Sequence, residues 1–267
     1  MPILHLVILA AVQGITEFLP VSSSGHLVLA PILLGWPDQG LLIDVAVHVG
    51  TLFAVMAYLY RDVGAMLAGI GRALKGRRDP GARLFSLLVI GTIPVVGAGF
   101  ALQHYGPGMF RSMEVIAWAT LGFGILLWIA DHVGMTVRRV EHLGVFDVII
   151  IGISQCLALI PGASRSGITM TAARFIGMER PDAARFSLLL SIPTIIAAGT
   201  LSGIEIYESG DVQLANDAFV AAGLSFLFAL IAIALMMAWL RRASFTPFVI
   251  YRILLGGILL AIAYGVI

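Results

Sequence analysis

Six stretches of this 267-residue chain are apolar for the distance a helix needs to cross a lipid bilayer. They run from Val45 to Tyr60, Leu84 to Leu102, Val115 to Ala130, Phe186 to Ile204, Phe219 to Leu240 and Phe248 to Ile267. Each approaches the roughly 20 residues that cover a hydrocarbon core about 30 Å thick. So many runs rule out a water-soluble globule, and composition agrees. The chain is 60% hydrophobic and 12% charged, where a soluble domain carries about 25% charged residues. A net charge of +1 offers no basic surface for nucleic acid, and the single Cys156 excludes an intramolecular disulfide framework. No Lys- or Arg-rich segment precedes the apolar sequence at Ile3, so the N-terminus reads as part of the mature fold rather than a cleaved signal.

Two further apolar segments, Ile3 to Leu34 and Val148 to Gly177, are interrupted halfway by LPVSSSG and IPGASRSG. A break at membrane depth survives only where it is buried in protein or lines a cavity, so each segment reads as a re-entrant hairpin. The two halves also echo each other. QGITEFLPVSSSG (Gln13 to Gly25) resembles QCLALIPGASRSG (Gln155 to Gly167), and ARLFSLLVIGTIP (Ala82 to Pro94) resembles AARFSLLLSIP (Ala183 to Pro193). Matched pairs in the same order indicate an internal duplication, approximately residues 1–131 and 132–267. One hairpin plus three spans per half is an odd number of crossings, which turns the second half upside down and brings the breaks together near the midplane. The expected fold is an all-α polytopic membrane protein: a single domain of six transmembrane helices plus two re-entrant helical hairpins in an inverted-topology repeat.

Loop charges orient this arrangement. Arg61, Arg72, Lys75, Arg77, Arg78 and Arg83 crowd one connection, Arg138 and Arg139 a second, Arg180 and Arg185 a third, and Arg241 and Arg242 a fourth. The positive-inside rule makes these cytoplasmic. The remaining connections carry Asp38 and Asp44, then Arg111 with Glu114, then Glu205, Glu208, Asp211 and Asp217. They are expected outside, as are both termini.

Against this apolar background the hairpin breaks hold the chemistry, because a polar group in the bilayer core is costly unless it serves a site. Gln13 and Glu17 lie one helical turn apart and share a face before Pro20 ends the helix. Ser22, Ser23, Ser24 and Gly25 then offer capping hydroxyls and a new helix start, a natural anion site, with His26 on its first turn. In the second hairpin Pro161 and Gly162 break the chain, Ser164 and Ser166 can cap, Arg165 presents a planar fork of donors, Gly167 follows, and Thr169 lies one turn beyond Arg165. A phosphate fits both ends. Read blandly, Gly14, Gly25, Gly162, Ser166 and Gly167 serve close helix packing, and Glu17 with Arg165 forms a structural ion pair. Such a pair, however, needs no histidine, no hydroxyl cluster and no two facing helix starts. His48 reads equally as a core or a site residue; His5, His104, His132 and His142 read as interfacial. Arg174 is expected to snorkel to the cytoplasmic surface. No His and Cys spacing suited to a metal appears.

EFLPVSSSGH (Glu17 to His26) and PGASRSG (Pro161 to Gly167) resemble the two signature motifs of the bacterial undecaprenyl-diphosphate phosphatase family associated with bacitracin resistance. The likeness covers essentially the whole chain, including FSLLLSIP (Phe186 to Pro193). It implies two re-entrant hairpins, a divalent cation such as Mg²⁺ or Ca²⁺, and hydrolysis of undecaprenyl diphosphate to the monophosphate that carries cell-wall precursors. It implicates Glu17, Ser23, His26 and Arg165 in catalysis and Thr169 in the site. One departure stands out: many members carry a Glu where this chain has Gln13, so a metal here leans on Glu17. Two routes stay open, attack by Ser23 with His26 as base, or attack by a water that a metal activates. The family reading places the chain in the bacterial cytoplasmic membrane, with its site reached from the outer side, its partner a polyprenyl lipid, and a homodimer left open. The competing class is a lipid-phosphate transporter, since inverted repeats with broken helices also build transporters.

Overall fold

With no water at membrane depth, backbone N–H and C=O groups must be satisfied within the segment that carries them. Helices do this throughout a computed structural model that describes residues 2–23, 25–27, 35–36, 40–106, 110, 112–133, 136–209 and 212–266, with no strand among them. In chain order the helices are α1 (Ile3–Thr16), α2 (Gly40–Tyr58), α3 (Tyr60–Ala73), α4 (Pro80–Tyr105), α5 (Met113–Val133), α6 (Val145–Gln155), α7 (Arg165–Phe175), α8 (Arg180–Ser209), α9 (Val212–Leu240) and α10 (Thr246–Ala263). Among the described residues five stretches, within α4, α5, α8, α9 and α10, are long and apolar enough to cross a membrane; α2 is nearly so, and it would make a sixth span only if counted together with α3, from which it is sharply bent. The protein is an all-α polytopic membrane protein. Side chains such as Phe100, Leu235 and Leu254 are exposed, and their solvent is lipid.

The Arg61 to Arg83 connection, read from sequence as a charged loop, instead contains α3, bent 83° from α2. It buries Met66 and Gly69 and leaves Arg61 and Arg72 exposed. That division suits a helix lying along the membrane surface.

Two segments stop short of a crossing. At 1.5 Å per residue, α1 is about 21 Å long and α6 about 16 Å, both well under a bilayer core. The chain turns after α1 at residues 17–21 and is helical again at Ser23 and Gly25 to Leu27. After α6 it passes through a short 3-10 turn (Cys156–Leu159), bends, and restarts as α7. Among the described residues only two non-glycines have positive φ, Ser22 at 75° and Ser164 at 71°. They occupy matched points of the two motifs, each just before a new helix. The other matched pair agrees in form too, since α4 and α8 each carry an internal proline, Pro94 and Pro193.

The cationic connections gather at one end. Arg185 bonds Asp62 and Glu141, Arg138 bonds Asp147, Arg139 bonds Glu179, and Arg83 bonds the Leu143 carbonyl. Arg174 lies beneath them and does not snorkel: its side chain is fully buried. Its Nε donates to Asp131 Oδ1 at 3.2 Å, Nη2 to the Asp131 carbonyl at 3.1 Å, and Nη1 to the Met178 carbonyl. Asp131 Oδ1 also accepts from Arg180 at 2.7 Å, and Oδ2 from the Phe245 amide at 3.2 Å. A fully hydrogen-bonded carboxylate removes the need for water that would have drawn the arginine outward.

Candidate active site

Glu17 closes α1, and each of its oxygens is taken by the first residue of a different helix. Ser23 Oγ donates to Oε2 and Arg165 Nη2 to Oε1, both at 2.7 Å. Gln13, one turn back, adds a bond from Nε2 to Oε2 at 2.9 Å, and His48 Nε2 of α2 lies 3.7 Å from the same oxygen. The two helix starts are built alike: Ser22 Oγ accepts from Gly25 N at 3.4 Å, and Ser164 Oγ from Gly167 N at 3.1 Å. Gly162 turns the second break with φ of 93°, where a Cβ would sit 2.4 Å from the Ile116 carbonyl. Only glycine fits there.

The hub opens into a cavity of about 420 Å³. Glu17, Ser23, Ser164 and Arg165 supply its polar floor, Asp44 and His48 one polar flank, and Leu159, Ile195 and Ala198 an apolar wall. Arg165 stands over the Phe18 ring, with Cζ 5.9 Å from the centroid. Its Nη1 is buried and has no partner among the described residues. A buried guanidinium donor left open beside a hydroxyl at a helix start has the chemistry to receive an anion.

Other residues singled out in the sequence stand back from the cavity. Ser166 Oγ donates to the Leu19 carbonyl at 2.9 Å, tying one break to the other. Thr169 bonds Ser187 Oγ at 2.6 Å and the Arg165 carbonyl at 3.0 Å, bracing α7 against α8. Ser22, Gly25 and Gly167 shape the helix starts. His26 faces away from Ser23: Nδ1 lies 2.6 Å from the Ser22 carbonyl and Nε2 2.5 Å from the Tyr251 hydroxyl. A carbonyl only accepts, so Nδ1 carries a proton; when the ring is neutral, Nε2 accepts from Tyr251. Ser24 lies outside the described residues. Asp44, read from sequence as part of an outer connection, lies instead in α2, and His48, left open between core and site, lies one turn after it; both line the cavity.

For a divalent cation the donors present are few. Among the described residues no group of three or more His, Cys, Asp or Glu could hold a metal. One buried acceptor beside Glu17, Gln13 Oε1, has no partner among the described residues. A carboxylate and an amide oxygen fit a hard cation of the Mg²⁺ kind, which keeps waters and takes further ligands from substrate phosphates.

The family model described as bacitracin resistance protein BacA matches residues 6–258. The chain is 55% identical to the undecaprenyl-diphosphatase of Ruegeria pomeroyi, over 99% of this chain and 100% of that one. It is 54% identical to undecaprenyl-diphosphatase 1 of Rhodospirillum rubrum, over 99% and 96%. With the undecaprenyl-diphosphatase of Chromohalobacter salexigens it shares 48% identity, over 96% and 97%.

Proposed function

The chain belongs to the bacitracin resistance protein BacA family, and we propose from that membership and the site's geometry that it hydrolyses undecaprenyl diphosphate to undecaprenyl phosphate and inorganic phosphate. One observation carries the reading: a carboxylate shared by a serine hydroxyl and a half-free guanidinium at two facing helix starts. Phosphoryl transfer asks a protein mainly for positioning and for positive charge on the transferring group, and these residues supply both. Arg165 Nη1 binds a nonbridging oxygen of the terminal phosphate. Ser23 Oγ attacks that phosphorus while its proton passes to Glu17 Oε2, to which it already donates. The Oγ–P bond forms, the bond to the bridging oxygen breaks, and undecaprenyl phosphate leaves. Water then cleaves the phosphoserine, releasing phosphate and restoring the hydroxyl. His26, turned toward Tyr251, braces the helix start in this scheme. Mg²⁺ or Ca²⁺, held by Glu17 and Gln13 Oε1, would neutralise phosphate charge.

The gathering of Arg61 to Arg83, Arg138, Arg139, Arg180 and Arg185 at one end supports a cytoplasmic face there. An inverted repeat is the arrangement in which one hairpin and three spans per half agree with that orientation. The site then opens outward in the cytoplasmic membrane, and the polyprenyl tail lies in lipid beside the apolar wall. The deciding experiment is phosphate release from undecaprenyl diphosphate by purified protein in detergent, where no second compartment exists. Release marks an enzyme; binding without release marks a transporter.

A further inference from the structure

Arg252, in the middle of α10, is fully buried. No carboxylate among the described residues pairs with it. Its partners are five carbonyl oxygens: Nε donates to Thr120 O at 3.0 Å, Nη1 to Pro20 O at 3.4 Å, and Nη2 to Gly162 O at 3.1 Å, Ala163 O at 2.9 Å and Ala119 O at 3.4 Å. Ala119 and Thr120 belong to α5. Pro20 lies in the first break, and Gly162 and Ala163 lie in the second. Space has been kept for the group on both sides. A Cβ on Gly124 would sit 2.9 Å from Arg252 Cβ, and one on Gly167, in the first turn of α7, 2.8 Å from Nη1.

Carbonyls at a chain break lack the helix donor they would otherwise meet, and no water replaces it at membrane depth. A planar guanidinium with five N–H groups can serve several at once, as an ammonium cannot. Pro20 is three residues before Ser23, and Ala163 is two before Arg165. The same rigid fork therefore reaches both sides of the site. We infer that Arg252 is a positioning residue for phosphoryl transfer, a clip that fixes the Ser23 helix start against the Arg165 helix start. This rests on the phosphatase reading above.

The test compares full-length wild type with Arg252→Lys in detergent, by steady-state phosphate release and by a distance measurement. For the second, spin labels go on Ile15→Cys and Leu157→Cys, exposed positions on the two hairpins, in a Cys156→Ser background. Lysine keeps the charge and loses the fork. The expected result is kcat lowered roughly 10- to 100-fold with KM within about threefold, as a misplacement near 1 Å produces, together with a broadened distance distribution. Wild-type kcat overturns the inference whatever the distances, and so does a lowered kcat with an unchanged distribution. If Arg252→Lys does not accumulate, Gly124→Ala crowds the arginine without removing it and is read by the same criteria. If wild type releases no phosphate, the phosphatase reading fails; the labels still report whether Arg252 joins the two breaks.

Discussion

Glu17 divides its two oxygens between Ser23 and Arg165, so substitutions at those partners separate their roles. Ser23→Ala removes one hydrogen bond, about 0.5–1.5 kcal/mol of stability, and the variant should purify normally while phosphate release falls to near background. More than a tenth of wild-type activity would mean that water attacks directly. Arg165→Lys keeps a cation for Glu17 but loses the open Nη1 donor. A lost charge-assisted bond of roughly 1.5–3 kcal/mol lowers turnover by one to two orders of magnitude; near-wild-type turnover would reduce Arg165 to a counter-ion. Glu17, Ser23 and Arg165 could be read in the sequence because each is polar inside an apolar segment. His48 could not be assigned, since its neighbour Glu17 lies on another helix. Arg174 was misread for a related reason: sequence reports depth, but its partner Asp131 is 43 residues away.

Helix breaks declare themselves through Pro, Gly and Ser, and both hairpin bends fall where those residues stand. Helix α3 hid, because a short amphipathic helix followed by Lys75, Arg77 and Arg78 looks like a charged loop until its apolar side finds α4. Its junction with α4 is closed by Asp79, whose Oδ1 caps Gly81 N at 2.8 Å while Oδ2 accepts from Arg72 Nε at 2.5 Å. The Arg72 hydrogen bond holds the Asp79 carboxyl below its usual 3.8. A depressed folded value stabilises the junction above the unfolded value, and that contribution is lost as pH falls through the lower folded one. Between about pH 5 and 3 the melting temperature should therefore decline less steeply in Asp79→Asn than in wild type; parallel declines would show the pair to be inert. At the buried cluster, Asp131→Ala strands Arg174 without its carboxylate. A cost of about 3–5 kcal/mol is expected, seen as a large drop in melting temperature, whereas a surface-exposed Arg174 would give almost none.

For the whole molecule, run length and composition specified the spans, but contacts between distant helices fixed which polar residues share a cavity. A reporter joined after Ile267 should be active outside and silent in the cytoplasm, if the arginine-rich end faces inward; cytoplasmic activity would reverse the orientation of the site. The two halves are matched in form but not in charge. Counting from Gln13 and Gln155, Glu17 corresponds to Leu159, which lines the same cavity, and Ser23 corresponds to Arg165. Two copies of the first half would face carboxylate with carboxylate and have no Arg165 guanidinium between them; two copies of the second would face guanidinium with guanidinium. Either assembly would keep the matched helix starts and lose this pairing of opposite charges. The carboxylate comes from one half and the guanidinium from the other, so neither half holds a complete site on its own.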